Sequence, residues 1–375
     1  KRLVKMFCKK ERGIIMKKWS SLVLSAALML SVGATAGAQG YTAGTYQGSA
    51  YGRNGSVTVE VTLTEDAIAD VQVVSSSETE NIGTVVQERM PKEIVETQSI
   101  DVDNVSGATF TSNAIKNAVK NALTEAGVDV GTLAAAPEKA KDQQIADEAS
   151  VVVVGGGAGL AAAVSALQSG AERVIIVEKT DILGGDTNVN GGIYNTPDEQ
   201  MQAKTAMTDG AKTLVEAALA EEPVSEEHKA LQDEVRADYD AYLASGSTGI
   251  FDSSAWYALQ TWNGGDKVAN LSLVKTMCYN AFAGYEWLES LGATFKDTVS
   301  QGPGSLYPRT HDTESGIGAA FITTYENYLA ANYADQYQIY YGVSANELIV
   351  DNGVCVGVKG EDAENNVYTF TAKNG

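Results

Sequence analysis

Val151–Glu178 reads VVVVGGGAGLAAAVSALQSGAERVIIVE, and its punctuation predicts a strand, a glycine turn, a helix and a second strand. Val151 to Val154 form a short apolar run, as in a strand buried on both faces. Gly155, Gly156, Gly157 and Gly159 make the turn. Ala162, Ala163, Ala166 and Leu167 then mark a small apolar stripe that lets the helix lie close to a sheet. Gly170 ends the helix, and Arg173 to Val177 forms the second strand, closed by the acid Glu178 with Lys179 beside it. Such a unit is the first half of a dinucleotide site. N–H groups at the helix start face a pyrophosphate, and an acid about twenty residues on takes a ribose hydroxyl.

The fit has one flaw. The fingerprint places glycines at its first, third and sixth positions. Counting from Gly155 puts Leu160 sixth, and counting back from Gly159 puts Val154 first. The turn is one residue short, a deficit of about 3.3–3.6 Å in reach. Either the helix begins a residue early or phosphate binding is impaired. An ordinary buried βαβ unit with a glycine turn is the alternative reading of this stretch alone.

The N-terminal region reads as an export signal. Met16 is followed by Lys17 and Lys18, an apolar run from Leu22 to Val32, and the small residues Ala34-Thr35-Ala36 and Ala36-Gly37-Ala38. The run is about half of the roughly 20 residues a spanning helix needs. Residues 1–15 are therefore read as upstream of the start and 16–38 as a signal peptide, which implies a periplasmic or cell-surface protein. A retained membrane anchor is the alternative.

The whole chain of 375 residues carries a net charge of −21. Residues 1–38 hold eight basic and one acidic side chain, leaving 19 basic against 47 acidic beyond them. Such a surface excludes nucleic acid as a partner. Cys278 and Cys355 lie far apart in apolar surroundings and read as buried thiols. There is no C-x-x-C-H haem motif, and two His residues in all make no metal site.

Residues 41–130 form a separate α+β region. Val57, Val59, Val61 and Leu63 alternate as in a half-buried strand, and Glu65-Asp66 turns the chain into Ile68 to Val74. Ile115, Ala118, Val119, Ala122 and Leu123 share one helical face. Ahead of that helix stand Ser106-Gly107-Ala108-Thr109 and Phe110-Thr111-Ser112. Together with Gly44-Thr45-Tyr46 and Ser77-Glu78-Thr79, this stretch resembles the FMN-binding domain of membrane redox complexes and extracytoplasmic reductases. The resemblance implies that Thr109 is esterified to FMN phosphate by a separate flavin transferase, with Thr111 as the second candidate hydroxyl. Gly107 and Ala108 leave room for the transfer, and a helix beginning near Ser112 would direct N–H groups toward the phosphate. A plain capped turn is the alternative.

Gly131 to Ser150 has no aromatic residue and no sustained periodicity, so 131–149 reads as a linker able to let the FMN domain swing. After Glu178 come Leu183-Gly184-Gly185-Asp186-Thr187 and Gly191-Gly192-Ile193-Tyr194-Asn195, glycine pairs that let backbone approach a flavin closely. Phe251-Asp252-Ser253, Gln260-Thr261-Trp262, Gly264-Gly265-Asp266, Trp287-Leu288-Glu289 and Tyr307-Pro308-Arg309-Thr310-His311 follow in order. Residues 150–375 thereby resemble the soluble fumarate reductase and urocanate reductase family of FAD enzymes. The resemblance implies that Glu178 meets the adenosine ribose and that Gly184, Gly185, Thr187 and Gly192 lie along FAD. Glu199 to Tyr242 reads as an inserted, acidic, mostly helical segment with a solvated face. Arg309-x-His311 reads as a loop contact, and Val343 to Lys359 as two strands around Asp351-Asn352-Gly353.

The expected architecture is an α+β FMN-binding domain followed by an incomplete Rossmann-like α/β FAD-binding domain. The family's substrate-clamping residues and proton donor lie beyond the residues seen here, so no residue of this chain is given a catalytic role. The resemblance implies an exported reductase that passes electrons from covalent FMN to FAD and on to an α,β-unsaturated carboxylate. An extracytoplasmic or membrane electron donor and a flavin transferase are its partners. A carrier module in which only residues 41–130 matter, and a ring-ketone dehydrogenase of the same superfamily, are the rivals. The reading demands an accessible Thr109 ahead of a helix, and an open edge or exposed apolar face on the sheet begun by Val151.

Overall fold

The structure is a computed structural model that describes residues 41–133, 135, 141–302, 305 and 307–375. The signal-peptide reading lies outside the described residues. No described helix is long and apolar enough to cross a membrane.

The first region is an antiparallel sheet of β1 (Gly44–Tyr51), β2 (Ser56–Leu63) and β3 (Ile68–Ser75), in that order, covered by α1 (Gly83–Thr97) and α2 (Thr109–Glu125). The alternating Val57, Val59, Val61 and Leu63 of β2 meet Ile115, Ala118, Val119, Ala122 and Leu123 of α2 in one buried core. Small residues set the spacing. A Cβ built at Gly48 would sit 2.0 Å from the Ala118 carbonyl oxygen, so α2 can lie this close to β1 only across a glycine.

The stretch read as a linker contains a strand. β4 (Gln144–Ala149) runs parallel to the last strand of the chain. Polar residues hid it: Asp147 faces inward, where its carboxylate takes a fork from Arg173, both bonds 2.6 Å, and the Tyr340 hydroxyl at 2.8 Å. An inward acid breaks the apolar alternation by which a strand is recognised.

β5 (Val151–Val154), α3 (Gly159–Gln168) and β6 (Val174–Val177) follow as the sequence predicts. The buried face of α3 is Leu160, Ala163, Val164 and Leu167, one residue away from the expected stripe, and Ala162 is exposed. Next come β7 (Ile193–Asn195), α4 (Glu199–Gln202), α5 (Asp209–Ala220), α6 (Glu226–Ser245), α7 (Ser254–Gly264) and α8 (Leu271–Leu291). α5 to α7, with the Cys278 side of α8, enclose a core of their own. β8 (Phe295–Ser300) and β9 (Thr310–Thr313) form a small sheet with β7 in the order β7-β9-β8. α9 (Ala319–Tyr333) and β10 (Tyr337–Tyr340) return the chain to the parallel sheet, whose order is β10-β6-β5. β11 (Ser344–Asp351), β12 (Val354–Glu361) and β13 (Val367–Ala372) complete a second sheet, ordered β11-β12-β13-β4. Asn352 and Gly353, both at positive φ, make the tight turn between β11 and β12.

β6 is the keel of these layers. Its side chains alternate between faces. Val174 and Ile176 pack with α3, α9 and the end of α8, while Ile175 and Val177 pack with Phe370 and Val358 of the second sheet. β5 borders β6 on one side only. Along its other side the Val152 N–H meets the Gly375 carbonyl at 3.1 Å, and Val154 is 56% exposed.

Two expectations fail here. Cys278 is buried, but Cys355 is exposed on the outer face of β12. His311 lies inside β9 and Arg309 immediately before it, both fully enclosed, where a loop contact was expected.

Candidate functional site

Thr109 is the first residue of α2, so the helix begins three residues earlier than the sequence suggests. The turn ahead of it is tied by Ala108 N–H to the Val105 carbonyl (3.0 Å) and by Val105 N–H to Ser112 Oγ (3.1 Å). Gly107 sits at φ +90°, a conformation L side chains rarely adopt. Ala108 is buried beneath the turn, while Ser106, Gly107 and Thr109 face outward. The N–H groups of Thr109, Phe110 and Thr111 find no acceptor among the described residues. They are the free donors of a helix start.

The two candidate hydroxyls separate cleanly. Thr109 is exposed, with no hydrogen bond to a described residue. Thr111 is buried and donates to Glu78, whose other oxygen accepts the Asn54 N–H at 2.8 Å. The middle motif therefore buttresses the turn, and Thr111 is unavailable for esterification. Arg53, Thr79, Phe110 and Val189 border the cavity beside Thr109. Arg53 is an exposed cation on the turn between β1 and β2 and was missed in the sequence. Its only signal is its place in Gly52-Arg53-Asn54-Gly55, which reads as an ordinary hairpin turn. A bare hydroxyl, three free N–H groups and a guanidinium suit a phosphodiester.

The second cradle is the turn after β5. Gly155 is at φ +92° with open space where a Cβ would be. A Cβ on Gly157 would lie 3.3 Å from the Gly184 carbonyl oxygen and 3.5 Å from Thr187 Oγ1, and one on Gly159 would lie 2.7 Å from Val153. The structure thus brings Gly155, Gly157, Gly159, Gly184 and Thr187 together. Gly184 N–H closes the arrangement on the Gly156 carbonyl at 3.0 Å, and Gly185 opens a short 3₁₀ turn to Val189 at φ +49°. The N–H groups of Gly157, Ala158 and Gly159 have no acceptor among the described residues. These donors fit a pyrophosphate at a helix start.

Glu178 is partly occupied by its own surroundings. It is 7% exposed, and its carboxylate accepts Gly156 N–H (2.8 Å), Thr180 N–H (2.8 Å) and Thr180 Oγ1 (2.9 Å). The Thr180 hydroxyl has one proton and also reaches the Ile182 carbonyl at 2.7 Å, so of the about four acceptor positions of an ionised carboxylate about one or two remain for a ribose hydroxyl. Lys179 is exposed and meets no described partner. Gly192 is pressed against the Ile317 backbone, 2.4 Å from an added Cβ, and so serves packing between β7 and α9.

Arg309 and Asp252 form a buried pair. The guanidinium gives a fork to the carboxylate at 2.8 and 2.9 Å, bonds Gln260 at 2.8 Å and lies over the Tyr257 ring at 4.4 Å. Burial pushes the Asp252 carboxyl up, and the Arg309 fork opposes that rise. These contacts fasten the start of α7 to β9; they use one N–H of each guanidinium nitrogen, and Arg309 also borders a cavity with Asn195, Tyr257 and Gln260. The His311 ring lies against Tyr285, centroids 4.4 Å apart and tilted by 44°, and neither ring nitrogen meets a hydrogen-bond partner among the described residues. Burial lowers its pKa, so the ring is neutral at pH 7. Among the described residues no cluster of His, Cys, Asp and Glu could hold a metal ion.

With this geometry in place, comparison with known proteins adds the following. The chain matches the FMN-binding domain family over residues 52–124 and the FAD binding domain family over 150–242. It joins an FMN-binding domain to an FAD-binding domain of fumarate reductase type. It is 30% identical over 342 residues to the NADH:acrylate oxidoreductase of Vibrio harveyi, covering 86% of this chain and 34% of that protein. It is 28% identical over 354 residues to the urocanate reductase of Eggerthella lenta, covering 90% of this chain and 49% of that protein. The chain therefore spans half or less of these relatives' lengths. Among solved structures, the open conformation of a flavocytochrome c3 fumarate reductase aligns with a TM-score of 0.44 and 22% identity, over 60% of this chain and 32% of that one.

Proposed function

We propose that this chain is the two-flavin portion of an exported reductase for α,β-unsaturated carboxylates, with FMN held covalently on Thr109 and FAD in the cradle between Gly155 and Thr187. One observation carries the reading: two turns with complementary chemistry occur in one compact unit, an exposed free hydroxyl at one helix start and bare amides at the other. The names of the relatives support the substrate class, since acrylate, urocanate and fumarate are all α,β-unsaturated carboxylates.

When bound, FMN supplies electrons and FAD supplies the hydride that reduces the carbon–carbon double bond. The chain's own residues do the holding. The Thr109 hydroxyl is open to a flavin transferase, and the N–H groups of Thr109, Phe110 and Thr111 with Arg53 neutralise the phosphate. The amides of Gly157, Ala158 and Gly159 take the pyrophosphate, and a remaining acceptor position of Glu178 takes a ribose hydroxyl. Export by residues 16–38 would place the protein in the periplasm or at the cell surface, facing an extracytoplasmic or membrane donor.

A second reading, an FMN carrier whose FAD cradle is idle, is favoured by the Glu178 carboxylate already holding Gly156 and Thr180. Co-expression with a flavin transferase, followed by acid precipitation, separates the two. FMN retained on the protein with FAD released in equal amount supports the reductase. Retained FMN without FAD supports the carrier, and no retained FMN defeats both.

A further inference from the structure

Asp181, Ile182 and Leu183 occupy the short segment that follows the acid of the dinucleotide cradle, and they face two different cores. Ile182 is 5% exposed and is buried with Val105, Ala108 and Val86 of the first domain. Leu183 is 4% exposed and is buried with Val153, Leu160 and Val164 of the second. Each lies on a glycine of a candidate flavin turn. A Cβ on Gly107 would be 3.2 Å from Ile182 Cδ1, and one on Gly156 would be 2.2 Å from Leu183 Cδ2. Asp181 adds polar ties to the same turn and helix. Its carboxylate accepts the Ser106 N–H at 2.6 Å, and its carbonyl accepts Arg89 Nη1 at 2.6 Å. A separate contact backs these up, where Asn81 Nδ2 donates to the Ala319 carbonyl (2.9 Å) and to Thr323 Oγ1 (2.7 Å).

We infer that Asp181-Ile182-Leu183 is an intramolecular clamp that holds the Ser106–Thr109 turn docked on the dinucleotide cradle, so that the two domains work as one body and the FMN domain does not swing on its linker. The segment bends at all three residues, and that curvature is how two adjacent side chains enter separate cores. The glycines make the contact possible, because any side chain on Gly107 or Gly156 would meet the clamp. Arg89, fixed over the Tyr341 ring at 5.9 Å, braces the carbonyl of Asp181 from the first domain. The clamp stands on interdomain geometry alone, and only its consequence, a fixed distance between flavins, rests on the function proposed above.

Site-resolved hydrogen exchange on the protein without flavins tests the clamp. The Ser106 amide has Asp181 as its acceptor, so in the native chain it should exchange at least tenfold more slowly than in Asp181→Ala, with Asp181→Asn between the two. Amides of Ile115 to Leu123 should not change in either variant, which shows that the first domain remains folded. Ile182→Ala should speed exchange at Ser106 by a similar factor, although it leaves the acceptor in place; a merely local bond would not respond to that change. Ser106 exchange already as fast as an unprotected amide in the native chain, or unaffected by both variants, overturns the clamp. Because no flavin is present, failure of FMN attachment leaves this result untouched.

Discussion

The turns at Ser106–Thr109 and at Gly155–Gly159 both open a helix, both carry a glycine at positive φ, and both leave three N–H groups free, yet they offer a ligand opposite chemistry. The first adds an exposed hydroxyl and a nearby guanidinium, groups suited to a covalent phosphate bond. The second offers backbone N–H groups, a largely engaged acid and the half-buried Thr187 hydroxyl, with no exposed hydroxyl and guanidinium side by side. A helix start by itself contributes only about 0.3–1 kcal/mol toward an anion at an exposed site. What stands beside it decides whether a cofactor is fixed or exchangeable.

That contrast breaks most visibly at Gly157. An added Cβ there would meet the Gly184 carbonyl oxygen at 3.3 Å, so Gly157→Asp is read against Gly157→Ala, which carries the same Cβ; the Asp variant alone sets a carboxylate where the pyrophosphate is proposed to lie. FAD retained after desalting should fall more than tenfold while protein-bound FMN is unchanged, measured by flavin release. A parallel loss of FMN would mean that the turns are not independent ligand sites.

Thr111→Val sharpens the same contrast within one helix. Removing a buried hydroxyl bonded to a carboxylate should cost about 1.5–3 kcal/mol in denaturant unfolding, with the flavin still attached. Gly156→Ala should cost about 1–3 kcal/mol, because Leu183 is buried and cannot move aside freely.

The smallest effect lies in the strand that carries the chain from one turn to the other. The Arg173 fork, helped by the Tyr340 hydroxyl and opposed by burial, lowers the Asp147 pKa to about 2 from 3.8. A depressed carboxyl stabilises the fold above its unfolded pKa, and the contribution is lost as pH falls from about 4 toward 2. The pair is partly solvated, so the contribution is at most about 1 kcal/mol. Asp147→Asn should narrow the stability gap between pH 5 and pH 2.5 by that amount. An unchanged gap would remove Asp147 from what holds β4.

Much of this was legible from side-chain period. Val57 to Leu63, Ile115 to Leu123 and the Val151–Glu178 unit announce themselves because one face is apolar throughout. β4 was not legible, because the middle one of its inward residues Ile145, Asp147 and Ala149 is an acid whose partner, Arg173, lies 26 positions away. The opposite burial of Ile182 and Leu183 was equally hidden, since two adjacent apolar residues carry no period at all. Arg309 was visible as a residue but not as a buried one, because its partner Asp252 lies 57 positions distant. Thr109 and Thr111 are hydroxyls two residues apart that only the family resemblance ranks in the sequence, and packing of Thr111 against Glu78 gives that ranking a physical reason.

The most direct test is tandem mass spectrometry of the peptide spanning Ser106 to Lys116, from protein co-expressed with a flavin transferase. The account predicts one FMN phosphodiester located on Thr109 and none on Thr111, and no modification in Thr109→Val. An unmodified native peptide, or flavin mapped to any other residue, would contradict it.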